Sequence, residues 1–287
     1  VKWSSSSLGD STSKRDDKNA NVPFVSDTYM VVLHRHVHKH ETGLVVESVR
    51  SRHASEEVSH KLFEAEVRDV HPHLRMFSVQ SPSAEALRYL EEHEHVQHVH
   101  RDRRVSIIDG NLDQSIHVSP RNSDTLTARD EVSPSKSNPY SWGLDRIDQS
   151  SLPLDQATYE APTDTNGGNG VSVYIVDTGL DTEHVEFANT NDRQVKNIFN
   201  AFGTNVGADT DEHGHGSHCA GTIGGLNVGV APKANLYGVR VLDGDGSGTT
   251  SGVVAGLEAV LAIRTLKPHK RMVVSMSLGG MCDGACD

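Results

Sequence analysis

Residues Val173 to Asp181 read VYIVDTGLD, an apolar, β-branched run that ends on a carboxylate and turns at Thr178 and Gly179. The glycine-rich stretch Gly167 to Gly170 leads into it. A short apolar run bounded by turn residues is the pattern of a strand buried on both faces. Leu236 to Leu242 and Met272 to Leu278 repeat the pattern, with a helical segment at Ser251 to Leu266 between them. Strands alternating with helices predict an α/β fold with a doubly wound, mainly parallel sheet, whose ligands gather at the carboxyl ends of the strands. Asp177 stands at such an end, where a buried carboxylate costs free energy unless something pairs with it. On its own, Asp-Thr-Gly reads either as a strand-ending turn or as half of an aspartic-protease dyad. The dyad needs a second Asp-Thr-Gly or Asp-Ser-Gly, which the sequence does not contain.

Composition narrows the function classes. The 287 residues, 35% of them hydrophobic, suffice for two domains of ordinary size. Against 39 Asp and Glu stand 27 Lys and Arg, a net charge of −12 with no long basic patch, which argues against nucleic acid as a partner. No apolar run approaches the roughly 20 residues of a membrane span, so no membrane partner is expected. Val1 to Asp27 is polar and lacks the apolar core of a signal peptide. The cysteines are Cys219, Cys282 and Cys286, an odd number that leaves one unpaired within the chain.

The segment Asp211 to Gly225 (DEHGHGSHCAGTIGG) sets three histidines among small residues, ahead of a run suited to a tightly packed helix start. Glycine beside His215 lets the imidazole and another backbone approach closely. His213, His215 and His218 could instead hold a metal. Yet the spacing is not His-Glu-x-x-His, no carboxylate follows at helical distance, and a glycine-rich backbone holds ligands poorly. The expected metal set is therefore none.

Taken in order, Asp-Thr-Gly (177–179), His-Gly-Ser-His-Cys-Ala-Gly-Thr (215–222) and Ser-Leu-Gly-Gly (277–280) resemble the subtilisin-like serine protease family. The likeness is closest to its proteinase K-like branch, where a cysteine follows the second histidine. The resemblance implies that Asp177 orients and stabilises an imidazolium and that His215 is the general base and later the general acid. These are the roles of the carboxylate and the histidine in the family's Asp-His-Ser triad. His218 matches a structural histidine, and Ser217 stands where threonine is more usual. Cys219 would then be a buried free thiol.

Gly238 to Gly248 (GVRVLDGDGSG) and Ser277 to Gly280 resemble the two edges that flank an extended peptide. Gly246, Ser247 and Gly248 would bind substrate on one side, and Ser277, Leu278, Gly279 and Gly280 on the other. Unpaired backbone groups at such edges add a substrate strand by main-chain hydrogen bonds. A helix-loop-helix calcium loop starting at Asp243 fails, because Val254 occupies the place of its closing glutamate.

The family's nucleophile, in a Gly-Thr-Ser-Met-Ala type segment, and its oxyanion-hole asparagine are expected C-terminal to Ser-Leu-Gly-Gly. Nothing before Asp287 substitutes for them, so this polypeptide alone is expected to be inactive. The resemblance implies an incomplete catalytic domain of a secreted, monomeric serine endopeptidase precursor that hydrolyses internal peptide bonds of proteins through an acyl-enzyme. No cofactor is required. A structural calcium is compatible with the family, with Glu186 as a candidate ligand. The alternative from another class is a catalytically inactive pseudoprotease or an inhibitor-like binding protein.

The N-terminal half is expected to divide into a disordered lead-in (1–26), a small α+β domain (27–107) and a linker with a processing site (108–138), ahead of the partial catalytic domain (139–287). Strands are predicted at Thr28 to Val37, Leu74 to Val79 and Val96 to Ile108, with helices at Ala54 to Asp69 and Ser83 to His95. By resemblance this is an inhibitor-type propeptide that blocks the cleft intramolecularly, its tail lying in the substrate groove. Arg103-Arg104 reads as a dibasic processing site or as a solvated charge cluster. Of the 18 histidines, 13 precede Asn138. His34, His36, His38 and His40 would share one face of a strand, and His93, His95, His98 and His100 form a second group. A pH sensor, a metal site and a solvated polar face are the readings these clusters allow.

Overall fold

The computed structural model describes residues 24–55, 63–108, 142–155, 159, 162–188, 193–203 and 210–280. Nearly all of the expected lead-in and linker, and the pairing of Cys282 and Cys286, lie outside the described residues.

The first domain runs β1 (Phe24–Leu33), α1 (Lys39–Ser55), β2 (Glu66–His71), β3 (Met76–Gln80), α2 (Ala84–Glu92) and β4 (Val96–Ile107). β1 lies between β3 and β4, β2 pairs with β3, and every pair is antiparallel. Two sequence expectations are corrected. The helix expected at 54–69 is instead α1, fifteen residues earlier, and Glu66–His71 is a strand. Val45, Val46 and Val49 of α1 are buried at helical spacing in a core with Val31, Leu33, Phe77, Val79 and Leu90, each such side chain contributing roughly 1.5–3 kcal/mol. That packing overrides the β preference of valine. Consequently β1 stops at Leu33, and His34, His36, His38 and His40 share no strand face. The first three lie in the turn before α1 and the last within it, stacked as His34 on His36 (5.2 Å) and His38 on His40 (5.8 Å). The helix expected at Ser83 to His95 is α2, capped by the Ser83 hydroxyl, which accepts from the Ala86 amide.

The second domain follows with α3 (Trp142–Ile147), β5 (Val171–Asp177), β6 (Val195–Asn200), α4 (His215–Gly224), β7 (Asn235–Arg240), β8 (Ser247–Thr249), α5 (Thr250–Leu266), β9 (Arg271–Met276) and β10 (Leu278–Gly279). Its four-stranded sheet has the order β6-β7-β5-β9 and is parallel throughout, as the alternation of strand and helix predicts. β5 is central, and all of its residues after Val171 are buried, so its carboxyl end is rigidly placed. Tyr174, Val176, Val239, Val241 and Val253 form the apolar cluster on one face, and Val173, Ile175, Ala220 and Leu236 the cluster on the other.

The two domains touch along α5 and β4. Buried Asp102 of β4 accepts from the Ser251 amide (3.0 Å) and from the Ser251 hydroxyl, at the exposed amides of the α5 N-terminus. Glu258 of α5 accepts from the His73 and Leu74 amides (3.1 and 3.2 Å) and meets His73 Nδ1 at 2.5 Å. Next to this contact, His71 is buried, and its Nε2 has no hydrogen-bond partner among the described residues. Burial holds the His71 imidazole below its ordinary pKa, outweighing the opposing pull of Asp69 and Glu258, and burial lowers His93 and His100 as well.

A base whose pKa is depressed by folding binds more protons when unfolded, so the stability it contributes is complete above its unfolded pKa of about 6.5 and is lost as pH falls below it. The first domain is therefore expected to melt at a lower temperature at pH 5.5 than at pH 7.5, with His71→Leu flattening part of the difference. Circular dichroism melts across that range check this, and a Tm that does not move would contradict it.

Candidate active site

The end of β5 places Asp177, 1% exposed, at the carboxyl edge of the parallel sheet. Its Oδ1 accepts from the Thr178 amide (2.8 Å) and meets His215 Nδ1 at 2.7 Å. A carboxylate only accepts, so in the neutral imidazole this contact assigns the hydrogen to Nδ1 and leaves Nε2 as the ring's acceptor. The buried carboxylate thus has the partner that the sequence required.

His215 is the first residue of α4, and the geometry before it fixes its approach. Gly214 adopts a left-handed conformation (φ 93°) and offers no side-chain cap. Asp211 takes the capping role. Its Oδ1 accepts from the Gly214 amide (2.8 Å), its Oδ2 accepts from the Ser217 amide (2.8 Å), and the Thr178 hydroxyl donates to it at 2.7 Å. Burial pushes the Asp211 carboxyl up, but the Thr178 hydroxyl and the Gly214 and Ser217 amides outweigh it and hold the group below the usual range. Thr178 accepts in turn from the Gly216 amide (2.9 Å), so the Asp177 turn and the His215 helix are tied by direct hydrogen bonds. Asp211 was not singled out in the sequence. The signal available was an Asx residue just ahead of a helix whose own N-cap is glycine.

Cys219, one turn along α4, is half-buried and free, with Sγ 3.9 Å from both ring nitrogens of His215. Burial pushes its thiol up, and Asp177 and Asp211 add to this, so it stays protonated although Ser277 pulls the other way. Asp177, His215 and Cys219 are the one trio of metal-capable side chains that converge within 4.8 Å among the described residues. His213 and His218 do not join them, and both are exposed. The Glu186 carboxylate accepts from the Asn227 amide (2.8 Å) and side chain (2.9 Å).

The expected substrate edges come together beside this couple. β8 lies on one side, with Gly246 preceding it, and β10 on the other, flanked by Ser277 and Gly280. The end of β4 runs between them, antiparallel to both. Arg104, Val105 and Ser106 face Thr249, Gly248 and Ser247, while Ser106 and Ile107 face Gly279 and Leu278. Val105 and Ile107 pack against the apolar cluster of the second domain.

The second domain thus holds a buried carboxylate and an imidazole in contact at the carboxyl edge of a parallel sheet, beside two strand edges that pair with the end of β4. Residues 168–287 match the model of the subtilase family, Peptidase S8. Alkaline serine exoprotease A of Vibrio alginolyticus is 38% identical over 219 residues, 76% of this chain and 35% of that protein. Extracellular serine proteinase of Thermus sp. (strain Rt41A) is 46% identical over 151 residues, 52% of this chain and 33% of that protein. The chain thus spans about a third of the length of these relatives. Among solved structures, fervidolysin from Fervidobacterium pennivorans, a keratinolytic enzyme related to subtilisin, aligns over 93% of this chain and 38% of its own with a TM-score of 0.52 and 19% identity, a likeness of fold.

Proposed function

We propose that the chain is the N-terminal part of a serine endopeptidase precursor: an inhibitor-type propeptide (27–107), a processing linker (108–138) and part of the catalytic domain (139–287). The observation that carries this reading is the end of β4, held as a middle strand between β8 and β10 beside the Asp177–His215 couple. A substrate segment would take the same place, adding its backbone to both edges. His215 Nε2 would receive the proton of a serine hydroxyl supplied by the family's Gly-Thr-Ser segment as that oxygen attacks the scissile carbonyl, and would then deliver it to the leaving amine. Asp177 would hold the imidazole in the tautomer this requires and stabilise its charged form.

The first domain would act as an intramolecular inhibitor, since its tail fills the groove that substrate needs. Protein substrates, secretion as a monomer and a reaction free of any cofactor complete the proposal. The name of the Thermus relative supports secretion. A structural calcium is compatible with the proposal, with Glu186 as a candidate ligand, because its carboxylate keeps lone pairs beyond the two that accept from Asn227.

The full precursor, matured in solution, is expected to cleave casein internally and to lose that activity on labelling by a fluorophosphonate, which reacts with an activated serine. A folded protein that neither cleaves casein nor takes the label would put the inhibitor-like binding protein in its place.

A further inference from the structure

We infer that the bond cut in maturation is Ile108–Asp109, an assignment that rests on the protease reading above. β4 enters the groove at Arg104 and advances one residue at a time between the two edges. Beyond Ile107, whose amide donates to the Gly246 carbonyl (3.0 Å), the last paired group among the described residues is the Ile108 amide, which donates to the Ser277 carbonyl (3.1 Å).

Two independent contacts put this end of the strand at His215. On one side, the Ile107 Cδ1 and the His213 Nε2 crowd the same space above Gly246, each 3.2 Å from where its Cβ would stand, and the His213 ring is 6.2 Å from that of His215. On the other side, the Ser277 side chain bonds to the Cys219 thiol, whose sulfur is 3.9 Å from the His215 ring. The Ile108 side chain lies over Gly279, its Cδ1 3.5 Å from an added Cβ, where a larger residue would displace it. The Ile108 carbonyl, which follows that amide, has no partner in the ladder among the described residues and stands next to the edge that holds the Cys219–His215 contact.

The dibasic alternative does not fit this geometry. Arg104 is paired with Thr249 inside the ladder, so the backbone after it is already engaged as a strand. Hydrolysis at Ile108–Asp109 adds one water across the C–N bond: the serine oxygen displaces the Asp109 nitrogen from the Ile108 carbonyl carbon, His215 carries the serine proton to that nitrogen, and water then releases Ile108 as a carboxylate.

The test is a time course of the full precursor, with intact-mass analysis of the first N-terminal fragment released and sequencing of the new N-terminus. The fragment is expected to end at Ile108 and its counterpart to begin at Asp109, with neither formed by His215→Ala. A first cut after Arg104, or anywhere within 110–141, in a precursor that goes on to cleave casein would overturn the assignment and leave the protease reading intact. The Ile108 end formed equally by His215→Ala would overturn it as a self-cleavage. A precursor that neither matures nor cleaves casein would overturn both.

Discussion

On the protease reading proposed above, exchange of Asp177 for Asn in the full precursor is expected to lower kcat on the order of 10^4-fold with little change in KM, the scale known for such triads rather than one obtained from this chain. The geometry says why either orientation of the amide fails. With its oxygen at the Oδ1 position, it still accepts from Thr178 and His215, but the charge that stabilises the imidazolium is gone. An NH2 group is then buried at the Oδ2 position, which has no hydrogen-bond partner among the described residues. Turned over, the amide donates to His215 Nδ1 and holds the hydrogen on Nε2, the atom that must accept a proton. The substitution removes no packing, so the melting temperature stays near that of the parent. Steady-state kinetics on a peptide substrate, beside a melt, check both halves. A loss of less than about tenfold would mean that Asp177 does not play the part given to the triad carboxylate.

How far this arrangement was legible in the sequence depends on the kind of signal each part leaves. β5, β7 and α5 were found close to their true limits, because a strand buried on both faces is a continuous apolar run. β6 (VKNIFN) was missed: as an edge strand it is half-exposed and carries polar residues at Lys196 and Asn197, so no run appears. α1 was missed for the opposite reason. Three valines, strand formers by propensity, are recruited into a helix by the core they share with Phe77 and Leu90. The couple itself was legible because its residues sit in short motifs whose turns and glycines serve one geometry. What the motifs do not contain is the support around them. Buried Arg240 reaches Glu212 at 2.7 Å and lies over Phe202 from the end of β7, contacts made across long sequence separations.

The glycine after the histidine separates local propensity from tertiary demand, through two substitutions on one helix. At Gly216 a Cβ would stand inside the van der Waals envelope of the Gly179 carbonyl oxygen, 3.1 Å from the Gly179 nitrogen and 3.1 Å from Thr178 Oγ1. Two of those atoms are backbone and the third is the hydroxyl that accepts from the Gly216 amide, so nothing nearby is a flexible chain end that can swing away. Gly216→Ala must therefore push α4 from the Asp177 turn. Overpacking of this sort costs about 1–3 kcal/mol. A displacement of about 1 Å at a reacting group costs on the order of 10^2-fold in rate. Gly221, five residues on, is also helical and buried, but a Cβ there meets only Val228 Cγ2, at 3.9 Å. Gly221→Ala is thus expected to raise stability by about 0.4–1 kcal/mol, through the smaller entropy of the unfolded chain, and to leave the rate alone. Helix propensity treats the two changes alike. Opposite shifts in Tm, with a fall in kcat for Gly216→Ala alone, would show that the approach of α4 to the β5 turn sets the His215 position; equal shifts would place that control elsewhere.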